Sequence, residues 1–201
     1  MKRFIPLIAL TTFAIAQDPE SIPLEKAQEV ARKITAQFGA PADAPLAVEV
    51  DADKVSGVKA GKAGLIAIAD KSLTTETLEK AGAEAKGIGQ LWMHKVAPAV
   101  DGQAADRSKL RPVEFGEDGD KKKAEVYFLG ITKGDDGALT LGLYTKDKAP
   151  LARVPLVKTN AAATSEPLAV TGRKEDDETG MLVVSVFGSY KADIAVKKAR
   201  E

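Results

Sequence analysis

Short apolar runs fill the chain from residue 46 onwards, and turn residues rather than helices separate them. The runs are rich in Val, Ile and Leu, and Gly, Pro and Asp stand between them. A parallel pair of strands needs a crossover of about a dozen or more residues, so strands that follow one another this closely must be mostly antiparallel. About nine or ten such strands predict a mainly β fold, an antiparallel β-sandwich, with a β-barrel as the alternative that has the same sequence texture.

The clearest hairpin lies in the C-terminal third of the chain. Glu125–Lys133 and Ala138–Thr145 flank a Gly-Asp-Asp-Gly turn, and its Asp-Gly pair supplies the positive φ that tight reversals need. Leu151–Val157 predicts an edge strand, because Pro155 has no N–H to donate to a neighbouring strand. The other runs that we interpret as strands are Leu46–Asp51, Leu65–Ala69, Ile88–Val96, Leu110–Phe115, Pro167–Thr171, Met181–Phe187 and Tyr190–Val196.

Two segments between these runs are assigned from their glycine and proline residues. Ser56–Gly64 contains three glycines and is interpreted as a loop, and Pro98 is expected to end the strand that begins at Ile88. A short helix is expected after Thr74, where Leu73 and Leu78 have the spacing of a hydrophobic staple.

One longer amphipathic helix is predicted at about residues 23–38. Leu24, Ala27, Ala31, Ile34 and Phe38 recur at spacings of three and four residues. The stripe is rich in Ala and its polar face is not basic, so a helix packed on the sheet is favoured over a helix that binds a membrane or a partner. The helix is expected to end at Gly39.

The first sixteen residues predict a cleavable signal peptide. Lys2 and Arg3 precede an apolar stretch from Phe4 to Phe13, and Ala14-Ile15-Ala16 has the small residues that a signal peptidase accepts. An uncleaved anchor would need about 20 apolar residues, and Asp18 ends the run too early. We therefore expect export to the periplasm or the medium, with residues 17–201 forming a single β-rich domain.

Composition excludes several classes of site. The sequence has no Cys, which excludes disulfides, thiolate catalysis, cysteine metal sites and a lipid anchor on cysteine. The 29 Lys and Arg residues equal the 29 Asp and Glu residues, so nucleic acid is not expected as a partner. No segment after residue 16 is apolar enough to predict a transmembrane helix, and no cofactor is expected.

Candidates for catalysis and metal binding lack the usual motifs. His94 is the only histidine, and a hydrolase that uses it would need a nucleophile for which no G-x-S-x-G motif is present. Asp51 and Asp53 have the first spacing of a calcium loop, but Val55 stands at its fifth position. The carboxylates at 117–120 and 135–136 are more typical of turns. No metal site is therefore predicted.

Aromatic side chains are the remaining candidates for binding. Trp92, Tyr127, Tyr144 and Tyr190, together with His94, would bind a ligand if they pointed outward from the sheet, and otherwise would fill the core. We expect an exported, non-catalytic binding or envelope-structural module with an unidentified protein or glycan partner. The alternatives are a secreted hydrolase that uses His94 and a structural protein that assembles with itself through the edge at Leu151–Val157.

Overall fold

A computed structural model of the chain describes residues 18–38, 41–116 and 121–199. The predicted signal peptide, the helix stop at Gly39 and the carboxylates at 117–120 lie outside these residues. None of the described helices is both long enough and apolar enough to cross a bilayer. The helices are α1 (Leu24–Phe38) and α2 (Thr75–Glu79), with a 3-10 turn at Arg107–Lys109.

Fourteen strands are present in the described part of the chain, and every pairing between them is antiparallel. They are β1 (Glu20–Ser21), β2 (Val50–Ala60), β3 (Ala63–Asp70), β4 (Lys86–His94), β5 (Val96–Val100), β6 (Gln103–Ala104), β7 (Pro112–Phe115), β8 (Lys122–Lys133), β9 (Leu139–Tyr144), β10 (Ala152–Pro155), β11 (Val157–Lys158), β12 (Leu168–Lys174), β13 (Thr179–Val186) and β14 (Tyr190–Lys198).

The strands form two sheets that pack as a sandwich, which confirms the predicted fold class. The large sheet has eight strands in the order β1-β2-β3-β4-β8-β9-β10, and β7 pairs with β8 beside β9. The small sheet has six strands in the order β12-β13-β14-β5-β6, and β11 pairs with β14. The backbone N–H of Val170 in β12 donates to Oγ of Ser56 in β2, so the two sheets meet along one side.

The chain passes from one sheet to the other at Lys95. This residue has a φ of 62°, a left-handed conformation that ends β4 in the large sheet and turns the chain into β5 of the small sheet. Pro98 lies within β5, so the prediction that it ends the strand is wrong. The break falls at Lys95 because the chain changes sheets there.

The main core lies between the sheets, where inward residues alternate along each strand as a half-buried strand requires. Leu91 and Met93 of β4 belong to this core, and Leu182 and Val184 of β13 face them from the small sheet. The predicted hairpin of β8 and β9 is confirmed, with Leu141 and Leu143 buried in the same core. The short helix predicted after Thr74 is present as α2, and Leu73 and Leu78 are both buried in this core.

Helix α1 covers the outer face of the large sheet, as the sequence predicts. Ala27, Ala31 and Ile34 are buried against Val55 and Ile68. Leu24, which the spacing places on the buried stripe, is instead 58% exposed. It is the first residue of the helix, ahead of the turns that lie over the sheet.

Two segment assignments from the sequence are wrong. The interval 56–64 is not a loop, because β2 continues to Ala60 and β3 begins at Ala63. A Cβ atom at Gly57 would lie 2.9 Å from Cγ2 of Ile66, so this glycine permits a close approach inside the sheet. The strand expected from Leu46 begins at Val50. The segment before it is irregular and packs Val48 against Phe128 and Tyr144.

Candidate functional site

The predicted binding residues do not form one site in the structure. Trp92 is 2% exposed on the outer face of the large sheet, where its ring meets that of Phe38 edge-on at 5.0 Å. Tyr144 is buried on the same face, against Phe128. Tyr127 lies fully buried between the two sheets, and Tyr190 is half-buried at the margin of that core.

The burial of these rings favours the interpretation that they fill the core. Trp92 donates its indole N–H to Oε1 of Gln90 at 3.0 Å, and both residues are buried. The indole therefore has an internal partner for its polar group, as buried tryptophans usually do. A ligand would have to displace α1 to reach this ring. The binding role of the aromatic residues remains a prediction.

His94 is half-buried at the end of β4. Its Nδ1 lies 2.7 Å from the carbonyl oxygen of Lys123, which can only accept a hydrogen bond. Nδ1 therefore carries a hydrogen and donates it to this carbonyl oxygen. Within the described residues no serine hydroxyl or carboxylate is hydrogen-bonded to the ring, so the contacts that define a Ser-His-Asp group are not assembled here.

The carboxylates considered for calcium are held by other groups. Oδ1 of Asp51 accepts the backbone N–H of Asp53, and Asp53 forms an ion pair of 2.6 Å with Arg32 of α1. The turn at 134–137 uses Oδ1 of Asp136 to accept the N–H of Ala138. Across the ranges that the structure describes, no three acidic or histidine side chains are grouped closely enough to hold a metal ion.

An apolar groove lies between the two sheets at one end of the sandwich and is open to solvent at its mouth. It has a volume of about 60 Å³ and walls that are almost entirely apolar. Val58 and Leu65 of the large sheet form one wall, and Leu182 and Val196 of the small sheet form the other. We call this space the inter-sheet groove.

Two glycines on the inner face of the small sheet line the groove. Gly172 lies two residues after the buried Val170 on β12, and Gly180 lies two residues before the buried Leu182 on β13, so both occupy inward positions. A Cβ at Gly172 would lie 2.8 Å from Cβ of Pro19. Glycine at position 172 therefore allows Pro19 to pack directly against the inner face of β12.

Among the described residues, three basic ones, Lys59, Arg173 and Lys174, and no acidic one contribute to the lining of the groove. Lys59 follows the inward Val58 and Arg173 follows the inward Gly172, so their side chains lie on the outer faces of the two sheets, and only Lys174 occupies an inward position. The side chain of Lys174 is 25% exposed, and its ammonium group lies 2.8 Å from a carboxylate oxygen of Asp177. Because that carboxylate is itself 72% exposed, water competes for it, and the pair is of the weak surface kind.

Two buried polar groups lie further along the inner face of the large sheet. The register places Val58, Leu65, Met93 and Glu125 in one row across β2, β3, β4 and β8. Within the described residues Oε2 of Glu125 and the hydroxyl of Tyr127 are buried without a hydrogen-bond partner. Met93 separates Glu125 from the groove.

The environment of these two groups raises both pKa values. Burial raises the pKa of Glu125, opposed by the positive charges of Lys123, Arg107 and Lys146. Burial also raises the pKa of Tyr127, and the negative charge of Glu125 raises it further. The tyrosine therefore stays neutral under ordinary conditions, and its hydroxyl is a hydrogen-bond donor without an acceptor.

A second depression lies beside α2 and is larger but shallower. Its volume is about 680 Å³, and its walls are as polar as they are apolar. Lys80 and Glu76 on its rim form an i,i+4 ion pair. Because it is wide and open to solvent, it encloses a small ligand less well than the inter-sheet groove does.

No family model, no curated protein and no solved structure matches this chain. Gly172 and Gly180 were not among the predicted site residues, because binding was expected at the aromatic residues. The alternation along β12 and β13 could have indicated these two positions, since glycine stands where the pattern predicts a large inward residue.

Proposed function

We propose that the chain is an exported, non-catalytic binding module that takes an apolar group of its ligand into the inter-sheet groove. The observation that carries this proposal is the apolar space between Val58 of the large sheet and Leu182 of the small sheet, whose walls are almost entirely apolar. Burying apolar surface stabilises a complex by about 0.8 kcal/mol per methylene group. Export is proposed from residues 1–16.

Thermal unfolding of residues 17–201 with six-carbon probes tests the binding proposal. The probes are hexanoate, hexanamide and hexylamine, which share one aliphatic chain. A probe at about ten times its dissociation constant adds about 1.4 kcal/mol to the free energy of unfolding, which raises the midpoint measurably. We expect at least one probe to do so.

A matched pair of variants shows where the probe binds. Ala63 lines the groove, and Ala63→Leu places three more carbon atoms in it. Ala195→Leu makes the same exchange at an exposed position of β14, on the outer face of the small sheet. We expect Ala63→Leu to abolish the midpoint shift and Ala195→Leu to retain it. Absence of a shift with all three probes in the wild type would refute the binding role.

Cleavage of the signal peptide tests the export proposal separately. The full chain of 201 residues is expressed in a bacterial host, and the product outside the cytoplasm is identified by intact mass. We expect the mature chain to begin at Gln17. Ala16→Asp should block cleavage, because a charged residue replaces the small one at the cleavage site. A product that keeps Met1 in the cytoplasm would contradict export.

Self-assembly is a second candidate, favoured by one feature of the sheet edge. β10 is the last strand of the large sheet, and Val157 lies in β11, which follows it in the chain but pairs with β14 of the small sheet; Val157 is 59% exposed. An open strand edge with an exposed apolar side chain two residues further along the chain is a segment on which a second copy can pair. Sedimentation over a range of concentrations tests this: the mass should rise for the wild type and stay monomeric for Val157→Lys. A wild-type mass that stays monomeric at every concentration would rule it out.

A further inference from the structure

We infer that Asp101 is a site of spontaneous covalent modification, at which the Asp101-Gly102 linkage converts through a cyclic imide to an isoaspartyl linkage. The reaction needs only water as co-reactant, and it is independent of the proposed binding function. Two observations carry the inference, namely the freedom of the Asp101 carboxylate in its turn and the restraint of the same dipeptide at Asp136.

The reaction joins the side chain of an aspartate to the next peptide nitrogen. The nitrogen of Gly102 attacks Cγ of the protonated Asp101 side chain and closes a five-membered imide. The N–H proton leaves with the carboxyl hydroxyl as water. A water molecule then adds to the main-chain carbonyl carbon of the imide and breaks its bond to nitrogen. The product has the mass of the original chain, but its main chain is one carbon atom longer.

Glycine after aspartate leaves the attacking nitrogen accessible. Gly102 has no side chain to shield it, and a Cβ atom built there would meet no other atom within 4 Å. The sequence has Asp-Gly pairs at 101, 118 and 136, of which the first and the third lie in the described part of the chain. The surroundings of these two pairs therefore decide which of them reacts.

Asp101 and Gly102 form the two-residue turn between β5 and β6, and both are exposed. In the described structure neither the carboxylate of Asp101 nor the N–H of Gly102 makes a hydrogen bond. β6 has only two residues and lies at the edge of the small sheet. A hairpin arm this short opens locally at little cost, so the turn samples the conformations that ring closure needs.

The same dipeptide at Asp136 is held by its surroundings. Oδ1 of Asp136 accepts the N–H of Ala138 at 3.0 Å, and the N–H of Gly137 donates to the carbonyl oxygen of Gly134 at 2.9 Å. The carboxyl group under attack and the attacking nitrogen are thus both engaged in the turn between β8 and β9. Ring closure requires both hydrogen bonds to open, and each lowers the reactive population about fivefold.

An isoaspartyl linkage at position 101 changes the structure locally. The extra main-chain carbon lengthens a turn whose two residues fix the register of β6 on β5. We expect β6 to detach while β5 keeps its pairing with β14. The modified protein therefore stays folded and accumulates with age.

Peptide mapping of aged protein tests the inference. Residues 17–201 are incubated in mildly acidic buffer, folded or in urea, and trypsin places the two Asp-Gly pairs in separate peptides. Chromatography separates the isoaspartyl form of each peptide from the aspartyl form of equal mass. In the folded protein we expect Asp101 to react about 25-fold faster than Asp136, the product of two fivefold effects. In urea the two rates should be similar, because the dipeptide is the same.

Two variants serve as controls. Asp101→Glu should give no isomerised peptide at this position, because its ring would need six members. Ala138→Pro removes the N–H that Asp136 accepts, and it should raise the rate at Asp136 in the folded protein about fivefold.

Three results would overturn the inference. The first is equal or faster reaction at Asp136 in the folded protein. The second is a ratio of rates in urea that matches the folded ratio, since the flanking residues and not the turns would then decide the rate. The third is a folded protein that stays unmodified at Asp101 while the unfolded chain reacts there.

Discussion

Gly180 and Val196 face each other across the pairing of β13 with β14, and a Cβ atom at Gly180 would lie 3.6 Å from Cγ2 of Val196. The same Cβ would lie 3.1 Å from the carbonyl oxygen of Arg173. Glycine at position 180 therefore allows the close approach of the Arg173 carbonyl, because a Cβ there would be crowded. The inter-sheet groove lies next to this contact and is lined by Val196 and by Val58 of the opposite sheet.

Filling the groove from the opposite sheet should stabilise the protein. Ala63→Leu adds apolar surface at a half-buried strand position without changing the backbone, so we expect the free energy of unfolding to rise by about 0.5–1 kcal/mol. Chemical denaturation measures the change, with Ala195→Leu expected within about 0.5 kcal/mol of the wild type. A destabilised Ala63→Leu would mean that the space is already filled by packing.

Replacing the half-buried carboxylate of Glu125 should stabilise the protein near neutral pH. The folded-state pKa lies above the value of 4.5 for the free side chain, so the folded state holds the proton more tightly than the unfolded state. The stabilisation that results from this tighter proton binding by Glu125 is fully present below pH 4.5 and is lost as the pH rises through the folded-state pKa. Glu125→Gln removes this loss.

The partial burial of Glu125 limits the stabilisation expected from Glu125→Gln. A fully buried unsatisfied group costs roughly 1–3 kcal/mol, and Glu125 is only partly buried, so we expect a gain of about 0.5 kcal/mol at pH 7. The gain should disappear at pH 4 and below in thermal melts across the pH range. Glu84→Gln, at an exposed position, should show no such pH dependence. An equal gain at every pH would contradict the account.

Removing the hydroxyl of Tyr127 should also stabilise the fold. This hydroxyl is buried without a partner in the described structure, and desolvating such a group costs about 1 kcal/mol or more. Tyr127→Phe should raise the midpoint of thermal unfolding, whereas Tyr190→Phe, at a half-buried position, should leave it nearly unchanged. A lower midpoint for Tyr127→Phe would show that the hydroxyl has a partner, such as a bound water.

Arg111 holds the irregular segment 41–49, which packs over Phe128, against the large sheet. Its guanidinium, 12% exposed, donates to both carboxylate oxygens of Asp43 at 3.0 Å and to the carbonyl oxygen of Thr145 at 3.2 Å. It also lies over the ring of Phe128 at 5.9 Å. Lysine cannot reproduce this fork geometry.

We therefore expect Arg111→Lys to lower the free energy of unfolding by about 1–2 kcal/mol, through the lost bond to Thr145 and the lost stacking on Phe128. Urea denaturation measures this difference. Arg153→Lys, on the exposed side of β10, should stay within about 0.5 kcal/mol of the wild type. Equal stabilities for the two variants would show that Arg111 does not hold the segment.

Alternation along the strands was sufficient to predict the fold class, the β8–β9 hairpin and the two faces of β4. Trp92 lies opposite Leu91 and Met93, as the pattern requires. Prediction from the local sequence failed where contacts between distant segments determine the backbone conformation. Gly57 was assigned to a loop because the close approach of Ile66, which requires a glycine there, comes from the neighbouring strand and is not visible in the local sequence. The left-handed conformation of Lys95 follows from the passage of the chain from one sheet to the other.

The groove could not be predicted for a related reason. Gly172 and Gly180 resemble turn glycines in the sequence, because a charged turn lies between them. Only the pairing of β12 with β13 shows that both are inward positions within strands. The space also depends on Val58 and Leu65, which lie more than a hundred residues earlier in the chain and in the other sheet.

Methyl chemical shifts in the presence of hexanoate test the central claim most directly, because they report which part of the core the ligand reaches. The largest changes should fall on the methyl groups of Val58, Leu65, Leu182 and Val196, with little change at Ile68 and Val126 beneath α1. Changes confined to the methyl groups beneath α1, or absent from the groove at saturating hexanoate, would contradict the assignment of the inter-sheet groove as the binding site.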